Sequence, residues 1–284
     1  VGPGGACVIT AAAERKRAPA SVRPGPPVAS MPRRATCTAA CRPAALPASG
    51  ECGREAKTSM KERAGAHMTD FAAARRAMVD CQVRPADVTR YAIIEAMLWA
   101  PRERFVPKSR RDVAYAEAEI PLGQGRMLLA PRTFAKMLEA ARIGQSDLVL
   151  DLAPATGYST AVIARMAEAV VAIEPEESFR SAAQATLDAL EVMNAAVTGG
   201  KPAEGDPAHG PYDVIFVNGG VEQVPAALTD QLKDGGRLVA IFMEGAAGRC
   251  KVLTRAGGAL SERAVFDATA PVFEGFTRTR AFEF

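Results

Sequence analysis

The stretch LVLDLAPATGYSTAVIARM, Leu148–Met166, holds an apolar run ending near Asp151, a short turn closed by Gly157, and a helix-forming segment. A second apolar run, AVVAIE, ends in Glu174, 17 residues beyond Gly157. In doubly wound sheets, ligands bind beyond the carboxyl ends of the strands, where strand order reverses. A carboxylate ending the second strand can accept two hydrogen bonds from a ribose diol. An acid ending the first strand can hold an amino group, and it would repel a pyrophosphate so close to a helix N-terminus. Together, Asp151 and Glu174 favour S-adenosyl-L-methionine over a dinucleotide. Strand–turn–helix units nevertheless occur in every α/β protein, so these residues alone leave a cofactor site and a plain packing unit both open. The turn reads Ala153-Pro154-Ala155-Thr156-Gly157, where such turns usually carry three glycines. Each alanine adds a methyl where glycine would allow close backbone approach, and Pro154 lacks an N–H donor. Alanine fits there if its φ is negative.

The elements that must position these residues follow from periodicity. MTDFAAARRAMVDCQV, from Met68, reads as an amphipathic helix with Asp70 as its cap. DVTRYAIIEAMLWAPRERFVP predicts a second helix with Ile93, Ile94, Met97 and Leu98 on one face, ended before Pro101. A loop-rich passage carries Gly123, Gly125 and Pro131, and PRTFAKMLEAARIG predicts a helix ending at Gly144. From Asp147, apolar strands alternate with helices: DLVLDLA, AVVAIE, AAVTG, YDVIFVNGG and GRLVAIFME. Strands apolar throughout and separated by helices imply a parallel sheet covered on both faces. RCKVLTRAGGALSERAVF, with Gly257-Gly258 between two strand-like runs, predicts an antiparallel hairpin at one sheet edge. The fold class is therefore α/β: a doubly wound, mostly parallel Rossmann-like sheet with N-terminal helices and a C-terminal antiparallel hairpin.

Composition divides the chain. Residues 1–67 carry 11 Lys/Arg against 4 Asp/Glu, leaving 24 against 28 for residues 68–284. The front segment, rich in Ala, Pro and Arg, keeps no helical or strand period and is expected to be a disordered basic tail. It is too weakly apolar for a secretory signal. An organelle presequence fits better, and a basic nucleic-acid arm would lack interleaved aromatics. We take it to lie upstream of a true start at Met68, with residues 68–284 forming one folded domain. Four of six cysteines lie in the tail, and Cys37 and Cys41 lack partners at metal-site spacing. Cys81 and Cys250 read as small core residues, Trp99 as packing and His209 as a solvated loop residue. The folded part reads as a reduced, cytoplasmic, monomeric domain with no metal. It has no apolar run of about 18 residues for a membrane span and no surplus of basic charge for nucleic acid.

Six stretches in order then resemble one family, the protein-L-isoaspartate O-methyltransferases, over residues 70–245. They are APRERFVP (Ala100–Pro107), AYAEAEIPLGQGRMLLAP (Ala114–Pro131), VLDLAPATGY (Val149–Tyr158), AIE, PYDVIFV (Pro211–Val217) and LTDQLKDGGRLV (Leu228–Val239). The resemblance implies a class I S-adenosyl-L-methionine methyltransferase that esterifies damaged aspartyl residues of a protein or peptide substrate. It also implies a cofactor site at Asp151, Ala153, Gly157 and Glu174 and a substrate loop at Gly125, Arg126 and Leu129. The family's loop serine falls on Leu129, its threonine on Met127 and its glutamine on Arg126. Two turn glycines fall on Ala153 and Ala155, and the acid that usually meets the adenine falls on Gly200. No catalytic residue is assigned. Arg126 is either a bidentate clamp on a substrate carboxylate or a solvated loop cation. The chain is then an isoaspartyl methyltransferase, a methyltransferase with another acceptor, or a cofactor-binding pseudoenzyme.

Overall fold

The structure, a computed structural model, describes residues 70–278. The expected basic tail, its boundary at Met68 and the last six residues lie outside the described residues. Asp70 caps α1 (Phe71–Met78), its Oδ1 accepting the Ala72 and Ala73 amides at 3.0 Å. The helix runs on into one π-helical turn, Val79–Val83, whose two ends, Val79 and Val83, are buried. Cys81, midway between them, therefore points outward and is exposed, which corrects its placement in the core; Cys250 is buried as expected. In α2 (Tyr91–Trp99), Ile93, Ile94 and Met97 are buried, and Ala100 turns extended ahead of Pro101.

The loop-rich passage holds a small sheet of its own. Strands β1 (Ile120–Gly123) and β2 (Arg126–Leu128) pair antiparallel across Gln124-Gly125, whose φ values are 51° and 71°. Two consecutive left-handed residues make the type I′ turn that suits a tight hairpin. Helix α3 (Pro131–Ala141) ends on Arg142 at φ 51° rather than on Gly144, whose amide is instead bound to Asp147 Oδ2 at 3.0 Å.

The main sheet contains β3 (Leu148–Leu152), β4 (Ala169–Ile173), β5 (Ala195–Thr198), β6 (Tyr212–Val221), β7 (Leu232–Glu244), β8 (Ala247–Ala256) and β9 (Ala259–Asp267). Its order is β5-β4-β3-β6-β7-β8-β9, parallel through β7 and antiparallel over the last two pairs. The chain winds outward from β3 through β4 to β5, then crosses to β6, so strand order reverses between β3 and β6. Helices α4 (Tyr158–Ala164) and α5 (Glu177–Ala189) follow β3 and β4, and a short α6 (Ala226–Thr229) precedes β7. Every residue of α4 is buried, its polar Ser159 and Thr160 hydroxyls being satisfied by Asp151.

Beyond β9 the chain returns across the carboxyl end of β6. The Gly220 amide donates to Pro271 O at 2.8 Å, and Phe273 donates back to Gly220 O at 3.1 Å. Gly219 must lack a side chain: a Cβ there would lie 2.4 Å from Phe273 Cζ. Among the described residues no helix is long and apolar enough to cross a membrane.

Candidate cofactor site

Asp151 and Glu174 come to the same edge of the sheet because β3 and β4 run parallel in register, Asp151 opposite Ala172 and Leu152 opposite Ile173. Both are fully buried. The turn between β3 and α4 is held against β4 by the Ala153 amide, which donates to Ile173 O at 2.9 Å, and against the helical region by Thr156, whose hydroxyl donates to Phe105 O at 2.6 Å. Gly157, at φ 89°, begins α4 and approaches α5 so closely that a Cβ would sit 2.9 Å from Ala183 Cβ. Glycine is required there. Ala153 and Ala155 also take left-handed conformations, with φ of 58° and 51°. The fit expected from negative φ is not what occurs: the turn keeps a glycine-type path at alanine positions, at about 1–2 kcal/mol of local cost each.

The two carboxylates have different company. Asp151 accepts three neutral donors: Asn218 Nδ2 at 2.6 Å, Ser159 Oγ at 2.8 Å and Thr160 Oγ1 at 2.6 Å. Burial pushes its carboxyl up to about 6, the three donors pulling the other way. Glu174 accepts a cation. Arg126 donates from Nη1 to Oε1 at 3.1 Å and from Nη2 to Oε2 at 2.8 Å, and Nη2 also reaches Ala153 O at 2.7 Å. The Ala155 amide adds a bond to Oε2 at 2.7 Å and the Glu176 amide one to Oε1 at 3.3 Å. Arg126 is 8% exposed, its guanidinium 4.8 Å from the Phe273 ring centre and 5.9 Å from that of Phe179. It is thus no solvated cation. It does clamp a carboxylate bidentately, but the carboxylate belongs to the protein.

Space at this edge is divided by the β1–β2 hairpin. A crevice of about 680 Å³ opens beside Gln124, Arg126, Pro175, Lys201 and Phe273. On the other side, where Met127, Leu128 and Leu129 face Pro154, Ser159 and Asn218, only about 10 Å³ remains, room for about one water. Leu129 is buried, and its carbonyl is fixed by Arg102 Nη2 at 2.5 Å. Arg102 is itself fully buried, its Nε on Ala114 O at 2.8 Å and its guanidinium 4.9 Å from the Tyr158 ring centre. Gly125 lies in the hairpin turn, and Gly200 stands beside β4, 3.3 Å from Ile173 Cγ2 by its would-be Cβ.

The structure therefore brings Asp151, Ala153, Gly157, Glu174 and Arg126 together, with Leu129 on the closed side. His209 is exposed and bound to Asp206, and Trp99 packs against the core with Arg165 over its ring. Sequence reasoning missed Asn218 as the partner of Asp151, and Phe273 as the cover over Arg126. A signal for both was available in VNGG: a polar residue at a strand end, then two glycines that leave room for another segment.

S-adenosyl-L-methionine can be tested against this donor set. Glu174 offers a carboxylate of the kind a ribose diol binds, and the open crevice lies beside its neighbours Arg126 and Pro175. Both fit, provided Arg126 leaves Glu174 and the hairpin leaves the 10 Å³ gap.

The chain is similar to known proteins in both sequence and fold. The sequence profile of the protein-L-isoaspartate(D-aspartate) O-methyltransferase family matches residues 74–267. A protein-L-isoaspartate O-methyltransferase of Gloeobacter violaceus is 36% identical over 190 residues, 66% of this chain and 93% of that one. A second relative, protein-L-isoaspartate O-methyltransferase 2 of Marinobacter nauticus, is 36% identical over 198 residues, 69% and 90% of the two chains. A solved protein-L-isoaspartate O-methyltransferase superposes with a TM-score of 0.64 at 23% identity, covering 71% of this chain and 67% of that one. A Plasmodium falciparum protein assigned to the same activity, solved with S-adenosyl-L-homocysteine, gives 0.62 at 15% identity, with 71% and 98% covered. The fold is the class I, Rossmann-like methyltransferase fold. By the match across residues 74–267 and the identity to these relatives, the chain belongs to the protein-L-isoaspartate(D-aspartate) O-methyltransferase family.

Proposed function

We propose that the chain is an S-adenosyl-L-methionine-dependent carboxyl O-methyltransferase whose acceptor is an isoaspartyl residue of a protein or peptide. The observation that carries this reading is Glu174 at the end of β4, bound to the Ala155 amide of the turn after β3, inside the span matched to the family. When bound, the cofactor supplies an electrophilic methyl group on a sulfonium. Glu174 would hold its ribose hydroxyls. Asp151 is covered by Asn218 and Ser159, so it acts through them: it orients the polar side chains that face the methionine side.

The acceptor needs little proton chemistry, because a side-chain carboxylate with a pKa of about 4 is already ionised at neutral pH. The residues have to align nucleophile and methyl carbon, and alignment of this kind can supply about 7–11 kcal/mol. Leu128 and Leu129 keep bulk water from that gap, and Arg102 positions the Leu129 backbone. Leu129 offers no side-chain donor to the acceptor. By analogy with removing one positioned donor, turnover is expected to be about 10²–10³ slower than with serine.

Methyl transfer from labelled S-adenosyl-L-methionine to an isoaspartyl peptide tests the reading, the matched aspartyl peptide serving as control. Ester formation only on the isoaspartyl peptide is the expected result, with a gain in rate for Leu129→Ser. The closed hairpin favours one second reading, a binding module without catalysis. Background transfer by the wild type and by every variant with an opened site would select it.

A further inference from the structure

We infer that the β1–β2 hairpin is an internal competitor for the cofactor: Arg126 holds Glu174 in place of the ribose diol, and must withdraw before the cofactor enters. This rests on the proposed role of Glu174 in gripping the ribose.

Three observations carry it. An ionised carboxylate offers about four acceptor positions, and Glu174 uses all four: two on Arg126, one on the Ala155 amide and one on the Glu176 amide. The two held by backbone belong to the site itself. The two held by Arg126 are those a diol would need. Second, the guanidinium is seated: its Nη2 also bonds Ala153 O, and the Phe273 and Phe179 rings lie 4.8 and 5.9 Å from it. A planar fork fixed in this way is a far stronger occupant than a point charge. Third, the strand that brings Arg126 in also fills the other half of the site. Met127, Leu128 and Leu129 leave only about 10 Å³ against Pro154, Ser159 and Asn218, so a swing of the tip that withdraws Arg126 also draws its neighbour Met127 from that gap.

The hairpin is held to the main fold by side-chain packing, with Ile120, Leu122 and Leu128 buried in the core, and not by a backbone ladder. It is a two-stranded sheet of its own, with an irregular register between Pro121 and Gly123 and no ladder to the seven-stranded sheet. Such hairpins are marginally stable alone. Its base is fixed where Arg102 holds Leu129 O and where α3 begins, so the tip at Gln124-Gly125 is the part free to swing. The apparent affinity for cofactor is then the intrinsic affinity reduced by the fraction of molecules with the hairpin open.

Calorimetric titration of S-adenosyl-L-homocysteine into wild type, Arg126→Gln and Arg126→Lys is the test, with unliganded melting of each. Glutamine keeps a donor for Glu174 but loses the charge and the fork, and lysine keeps the charge alone. Affinity is expected to rise by about tenfold or more from wild type to Arg126→Gln, with Arg126→Lys between them. Because lysine preserves the buried charge pair, its intermediate affinity decides the matter even if glutamine lowers the folded fraction. Equal or weaker binding by both variants, or no binding by any protein, overturns the inference. Methyl transfer to an isoaspartyl peptide by the same proteins separates it from the proposed function. Tighter binding by variants that transfer no methyl group leaves the competitor standing and sinks the activity, and methyl transfer with equal affinities does the reverse.

Discussion

Asp151 and Glu174 end neighbouring parallel strands and are equally buried, yet the protein satisfies them in opposite ways. Around Asp151 the donors are hydroxyls and an amide from α4 and β6, all neutral, and its carboxyl is pushed up to about 6. Around Glu174 the donor is a guanidinium delivered by a separate hairpin. The first arrangement is rigid, because every partner lies on the main sheet or its first crossover helix. The second depends on where a two-stranded arm sits. The contrast suggests a scaffold half that holds its shape and a gated half that a ligand can contest.

Breaking the Glu174 side should have the largest effect. Glu174→Ala leaves the Arg126 cation buried without a partner, a loss of about 3–5 kcal/mol in urea unfolding. Replacing both partners with apolar residues, Arg126→Met with Glu174→Leu, should recover most of it. A single-substitution cost below about 1 kcal/mol, the range of an exposed pair, would erase the contrast.

The Asp151 side is next, and pH reads it. The folded carboxyl keeps its proton up to about 6, whereas the unfolded one releases it near 3.8. The native state therefore binds more protons between those values, so this group's contribution to stability is greatest at low pH. It is lost as pH rises through about 6, by up to about 3 kcal/mol. Asp151→Asn should flatten this slope in unfolding experiments run from pH 4 to 7, and an unchanged slope would assign it elsewhere.

The smallest effect is expected in the turn that both halves share. Ala155→Gly relieves a φ of 51° and, after glycine's greater chain entropy, should stabilise by up to about 1 kcal/mol. Destabilisation on thermal melting would show that its methyl packs better than its backbone suffers.

Most of the fold could be read from the chain because strands covered on both faces must be apolar along their whole length. Leu148–Leu152, Ala169–Ile173 and Tyr212–Val217 say so without help, and Gly257-Gly258 marks the edge hairpin. Local signals misled where a tertiary contact outweighed them. Gly144 looked like the helix terminator, but its amide is bound to Asp147 and the left-handed residue is Arg142. Cys81 looked like core until the π-helical turn placed it outside. In the site, the strand-end acids were legible from position alone. The union of Arg126 with Glu174 was not, because 48 residues separate them and an arginine in a loop carries no mark of its partner. The left-handed alanines were equally hidden, since their φ is imposed by the turn and by Gly157 rather than by their own preference.

A crystal structure of the wild-type protein soaked to saturation with S-adenosyl-L-homocysteine tests the gated half most directly. The ribose hydroxyls are expected on Glu174, with the Arg126 guanidinium withdrawn from it and the hairpin tip displaced. A nucleoside bound with the Arg126–Glu174 pair still intact would contradict this.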